Sequence, residues 1–99
     1  MDIEFELQDI RFVANREKAR RNPSKHQGVT FEQAAQAFFD PFLKVVDADR
    51  NEEARDAVIG MDASSRLLCV VHIQHEDEYI RLISARKATG EERNLYENG

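Results

Sequence analysis

Residues 81–99 read RLISARKATGEERNLYENG, and the period of this stretch changes half-way. Tyr79, Arg81, Ile83 and Ala85 alternate with Ile80, Leu82, Ser84 and Arg86, the two-residue repeat of a strand, and from Thr89 the pattern becomes helical. Thr89 and Glu92 have the spacing at which a hydroxyl and a carboxylate each take up the other's free backbone N–H, so a capped terminal helix is predicted directly after a strand. Arg86 and Lys87 fall at the handover, with Arg81 further back on the strand. Cations gathered where a strand gives way to a helix suit an anion, because backbone N–H groups converge there too. On charge pattern alone, the same arginines read first as solvated strand-end charges.

Working outward, RLLCVVHIQ (residues 66–74) is the most apolar run and predicts a central strand, joined by HEDE to IRLISA as an antiparallel hairpin. FLKVVDA and RDAVIG predict two earlier strands, with the charged DRNEEAR (residues 49–55) looping between them and MDASS turning after Gly60. Thr30 and Gln33 form a second capping box, and Phe31, Ala34, Ala35 and Phe38 give that helix a buried stripe before Pro41. Asn15 can cap an earlier helix whose Lys18, Arg21, Asn22 and Lys25 share one cationic face. Pro23 predicts that this helix stops near Arg21, with an irregular turn over residues 22–28. At the start, Ile3, Phe5 and Leu7 alternate out of phase with Ile10, Phe12 and Ala14, so a bulge or turn near Gln8 and Asp9 is expected within a first strand. The sum is an α+β domain covering residues 1–99, an antiparallel sheet of about four to five strands with two N-terminal helices and one C-terminal helix packed on one face.

Ninety-nine residues at 41% hydrophobic content suffice for one core without staples. No run has the length of a membrane span and MDIEFELQD lacks a leader's apolar centre, so a soluble, cytoplasmic protein with no membrane partner is expected. Cys69 is the single cysteine and its place in LLCVV predicts an inert buried thiol. The net charge of −5 argues against a protein wrapped in nucleic acid, but the charge is unevenly spread. Residues 16–25 carry five bases and one acid, residues 81–93 four bases and two acids, and the acids crowd into 2–9, 47–56 and 76–78. Two basic patches on an acidic body can hold a short length of phosphate backbone, and the acidic remainder suits a basic partner. His26, His72, His75 and Cys69 lack metal-ligand spacing, and there is no phosphate-binding glycine loop or nucleophile elbow, so neither metal nor cofactor is expected.

Several pieces then coincide: N-x-x-K-H at residues 22–26, G-V-T-F-E-Q-A at 28–34, F-F-D-P at 38–41, I-G at 59–60, R-L-L-x-V-V-H at 66–72, and I-R-L-I-S-A-R-K-A-T-x-x-E-R at 80–93 with Tyr96 following. In order and spacing, from about residue 10 to the end, this resembles the BrnT family of type II toxin–antitoxin ribonucleases. The resemblance implies a RelE-like fold, endonucleolytic cleavage of RNA without a bound metal, and neutralisation by a small BrnA-like antitoxin through which alone operator DNA is contacted. The chain departs from the family at Ala14-Asn15, where Trp-Asp is usual before the first helix, and at Pro23 and Gln27 beside Lys25-His26. Both departures bear on activity and on the substrate path, and residues 1–9 lie outside the shared pattern.

Metal-free RNA cleavage needs a base for the ribose 2′-hydroxyl, an acid for the leaving 5′-oxygen, and cations for the phosphorane. A guanidinium fork fits a phosphate with two hydrogen bonds and stays charged, so Arg81 and Arg86 are the expected clamp, with Arg66 and Lys18 as further candidates and Lys25, Lys87 and Arg93 as substrate-binding cations. Ideal alternation would set Arg81 and Arg86 on opposite faces, so Arg86 must turn at the strand end or only one of the two serves. His72 is the expected acid or base by its titration range, although a histidine in an apolar strand also reads as a core residue. His26, beside Lys25, is the more exposed alternative, and a lysine or Glu92 could take the role. Tyr96 either stacks on a base or packs the terminal helix onto the sheet. A non-enzymatic protein-binding module, or a degenerate toxin that binds its antitoxin without cutting, is the competing expectation.

Overall fold

The computed structural model describes residues 1–49 and 53–99, so the middle of the charged loop expected over residues 49–55 lies outside the described residues. Among the described residues, six strands form one sheet in the order β1-β2-β6-β5-β4-β3. They are β1 (Asp2–Leu7), β2 (Ile10–Asn15), β3 (Lys44–Asp47), β4 (Asp56–Met61), β5 (Leu67–His75) and β6 (Tyr79–Lys87). The helices are α1 (Arg16–Lys25), α2 (Phe31–Gln36), which runs into a 3-10 turn (Ala37–Phe39), and α3 (Gly90–Asn98). The α+β class is as read from the sequence, but the sheet is wider and mixed, because β2 runs parallel to β6 while every other pairing is antiparallel.

The additional strand comes from the phase slip at Gln8 and Asp9. Both residues take positive φ, 49° and 67°, so the chain reverses fully and β1 folds back on β2 as a hairpin. What reads as one bulged strand is two.

Both predicted capping boxes are present: Thr30 with Gln33, and Thr89 with Glu92, each exchanging side-chain and backbone bonds in both directions. The helix expected to stop near Arg21 instead runs through Pro23 to Lys25. Pro23 falls in the last turn, where only one intrahelical donor is lost, and Asn22, 5% exposed, anchors that turn into the protein. The helix ends one residue later, as Gln27 and Gly28 take positive φ and Gly28 N–H reaches back to the Pro23 carbonyl at 2.8 Å.

The main core lies on one sheet face, where Phe12, Ala14, Leu68, Val70, Ile80, Leu82 and Ala85 meet Val29, Phe31, Ala34, Ala35 and Ala37. At Gly60 a Cβ would stand 2.6 Å from the Ala37 carbonyl oxygen, so glycine lets β4 approach the 3-10 turn. Val13, Ala57, Ile59, Leu67 and Cys69 are buried on the other face by strand alternation. The helices are therefore not all on one side, because α3 packs across β4 on the second face. Tyr96 fastens it there by donating to Asp40 Oδ2 at 2.6 Å, and the same carboxylate accepts from the backbone of Met61 and Phe42. Tyr96 thus packs the terminal helix, the second of its two expected roles.

Candidate nucleic-acid interface

The sheet's second face carries the cations, and one irregularity decides which of them share it. Between β5 and β6 the register steps by one residue on β5 and two on β6, so Ile83 is an extra residue. Arg81 pairs with Ile73, Ser84 with Val71 and Arg86 with Cys69, all odd positions of β5. The bulge thus brings Arg81 and Arg86 to one face, where ideal alternation would have separated them. They stand four β5 residues apart, about 13 Å along the strand, with Ser84 between them.

Each arginine already has a carboxylate partner. Arg86 meets Glu92 through two bonds, Nη1 to Oε1 at 2.7 Å and Nη2 to Oε2 at 2.9 Å. Glu92 also accepts from the Thr89 N–H, and the guanidinium fork above all holds its carboxyl down at about 2. Arg81 donates to Asp2 Oδ2 at 2.9 Å, from the first residue of the edge strand. The two arginines share a face, and each is paired with its own carboxylate.

A basic groove opens instead where β2 leaves the sheet. β2 accompanies β6 only as far as Leu82, then turns into α1, which leaves the outer edge of β6 beyond residue 82 without a strand neighbour. The Asn22 amide fills that place. Its Nδ2 donates to the carbonyls of Ala85 at 2.8 Å and Val29 at 2.7 Å, and its Oδ1 accepts from Ala85 N–H at 3.3 Å. This side chain behaves as a one-residue strand and seats α1 against β6 one position before Arg86.

Two adjoining recesses follow the seam. One, of about 440 Å³, is lined by Lys25, His26, Gln27, Arg86, Lys87 and Ala88. The other, of about 380 Å³, lies between Lys18, Arg21, Lys25 and His26 on one side and Arg55, Ile83 and Ser84 on the other, with Glu17 at its margin. Lys25 and His26 belong to both. Among the described residues, Lys18, Lys25 and Lys87 have no carboxylate within salt-bridge distance.

The remaining candidates lie elsewhere. His72 is 5% exposed on the core face, edge-on to Phe38 at 4.8 Å, with Nδ1 3.1 Å from the Val70 carbonyl oxygen. Burial lowers its pKa, favouring the neutral imidazole, and it lines neither recess. His72 is thus buried in the core, away from both recesses. Arg66 closes the β4–β5 turn, its Nε donating to the buried Asp62 at 2.9 Å, and Arg93 points along α3 toward Glu97 at 3.7 Å. Burial pushes the Cys69 thiol up to about 11, in keeping with an unreactive group. Arg55 was not foreseen as part of the groove, since nothing near it in sequence points to α1.

Residues 15–92 match the family model described as the ribonuclease toxin, BrnT, of type II toxin–antitoxin systems. The chain belongs to the BrnT family. A comparison with curated proteins returned no match. The matched span runs from the N-cap of α1 to Glu92 and so contains every groove residue, Lys18, Lys25, His26, Arg55, Ser84, Arg86 and Lys87 included. It omits β1 and with it Asp2, so the counter-ion of Arg81 comes from outside the part that defines a BrnT chain. No described helix is long and apolar enough to cross a membrane.

Proposed function

We propose that this chain is a metal-independent endoribonuclease toxin with a RelE-like fold, cutting single-stranded message in the groove between α1 and β6. The observation that supports it most is the position of Lys25 and His26 on the last turn of α1, facing Arg86 and Lys87 across one recess. Substrate supplies its own nucleophile in this reaction: the ribose 2′-oxygen attacks the adjacent phosphorus, the bond to the 5′-oxygen breaks, and a 2′,3′-cyclic phosphate and a 5′-hydroxyl result. His26 is the group assigned to proton transfer, because imidazole serves as acid or base near neutral pH and this one is only half-buried. Lys25 and Lys87 hold the non-bridging oxygens, and Arg86 joins them to the extent that phosphate competes with Glu92. Arg81, at the far end of the same face, binds the continuing strand.

A toxin with such a groove must be silenced in its host, and an antitoxin laying an acidic or amphipathic segment across these cations would do so, contacting operator DNA on behalf of the pair. Expression alone should arrest growth and co-expression of the neighbouring small DNA-binding frame should relieve it. Purified protein should cut RNA in the presence of chelator.

One observation favours a second reading. Both arginines of the expected clamp are held by carboxylates, as suits a degenerate toxin that binds its antitoxin and cuts poorly. That protein would capture the antitoxin without arresting growth.

A further inference from the structure

The groove holds two recesses, and the chemistry assigned above uses one. The second lies back along α1, where Lys18 and Arg21 face Arg55 and the Ser84 hydroxyl over the floor of the sheet. Lys18 and Lys25 are seven residues apart on one helical face, about 10 Å along the axis, whereas successive stacked nucleotides advance by about 3.4 Å. The two side chains leave the helix about two turns apart, a distance that about three stacked nucleotides cover. Among the described residues lining this recess the one carboxylate is Glu17, which is taken up by Arg20 at 2.9 Å and Arg21 at 3.5 Å and not by Lys18. Arg55 is held by Glu53 at 2.6 Å, its side chain is 23% exposed, and it stands across the recess from the lysine.

We infer that this second recess is a separate phosphate subsite, gripping the backbone of a nucleotide neighbouring the cleaved linkage. The ligand it selects is a single-stranded oligonucleotide longer than a dinucleotide. The inference rests on the ribonuclease reading of the groove and adds to it a reason for internal cutting: a strand end that fills only one recess loses half of the available cation contacts. Ser84 contributes a hydroxyl that can donate to a phosphate oxygen and carries no charge cost when the groove is empty.

Binding separates this from cleavage. Uncleavable 2′-O-methyl ligands, one a dinucleotide and one a longer oligomer, are titrated against the full chain over a series of salt concentrations. Lys18→Ala with Arg55→Ala should weaken the oligomer several-fold and flatten its salt dependence by about 0.7 in log–log slope for each cation removed, while dinucleotide affinity holds. Lys18→Gln alone, on an exposed helix position, repeats the measurement should the double variant fold poorly, and its slope should fall by one such step. Equal losses for both ligands, or unchanged oligomer binding, would overturn the second subsite. A wild-type chain that binds the oligomer as described and yet leaves RNA intact would refute the ribonuclease reading and leave the subsite standing.

Discussion

The Arg86 guanidinium and the Glu92 carboxylate meet fork to fork, by two bonds of 2.7 and 2.9 Å, at the point where β6 hands over to α3. Glu92 therefore has two tasks, closing the capping box with Thr89 and aiming Arg86, and this joint is what fixes one wall of the groove. Its folded pKa, near 2, is below the ordinary 4.5, so the pair contributes stability that is complete above that ordinary value and is lost as pH falls toward 2. Glu92→Gln should remove this acid-side dependence and cost about 1–3 kcal/mol at neutral pH, read by denaturant unfolding across pH. An unchanged acid limb would show that the pair is not formed in solution.

Tyr96 and Asp40 give the opposite dependence. The hydrogen bond to Asp40 raises the phenol from 10.0 to about 12, so its contribution is complete below 10 and is lost as pH rises through 12. Tyr96→Phe should lower thermal stability at neutral pH and abolish the late phase of phenolate absorbance. A single tyrosine titration common to wild type and variant would contradict the latch between α3 and the 3-10 turn.

Asp2 holds Arg81, the arginine proposed to bind the continuing strand. Its side chain is 45% exposed, and exposed pairs of this kind are weak, so a phosphate is expected to displace it. Asp2→Asn should tighten oligoribonucleotide binding by up to about fivefold at low salt, with the gain vanishing as salt is raised. Weaker binding would mean that Asp2 orients Arg81 and does not occupy it.

Much of the fold was legible because its signals are local. The two capping boxes each depend on residues three apart, and the apolar run around Cys69 marks the centre of the sheet from composition alone. The width of the sheet was not legible, since the reversal at Gln8 and Asp9 rests on two left-handed residues with neither glycine nor proline to announce them. Pro23 misled in the other direction: the anchor that keeps its helix going is a hydrogen bond from Asn22 to a residue 63 positions away. The site divides along the same line. Lys18, Lys25 and Lys87 could be chosen by spacing, whereas the partners that engage Arg81 and bury His72 come from Asp2 and Phe38, distant in the chain. The bulge at Ile83, which puts Arg81 and Arg86 on one face, leaves no mark in the alternation of β6 itself.

Asn22 offers a direct check on the seam. Asn22→Ala strands Ala85 N–H and two carbonyls in a buried setting, at about 2–4 kcal/mol in total, measured by chemical denaturation. Asn22→Asp, which keeps the acceptor but sets a carboxylate against the Ala85 and Val29 carbonyls, should be at least as damaging at neutral pH and recover partly in acid. Stability equal to wild type in both would show that α1 is not held to β6 in this way.

The central claim places proton transfer on His26 and assigns His72 to the core. It is tested most directly by the rate of RNA cleavage in chelator, with the new ends identified, for wild type, His26→Ala and His72→Phe. Wild type should yield 2′,3′-cyclic phosphate and 5′-hydroxyl ends, His26→Ala should be slower by about 10²–10⁴-fold, and His72→Phe, if folded, should cut at the wild-type rate. Full activity in His26→Ala together with loss in a folded His72→Phe protein would contradict the account.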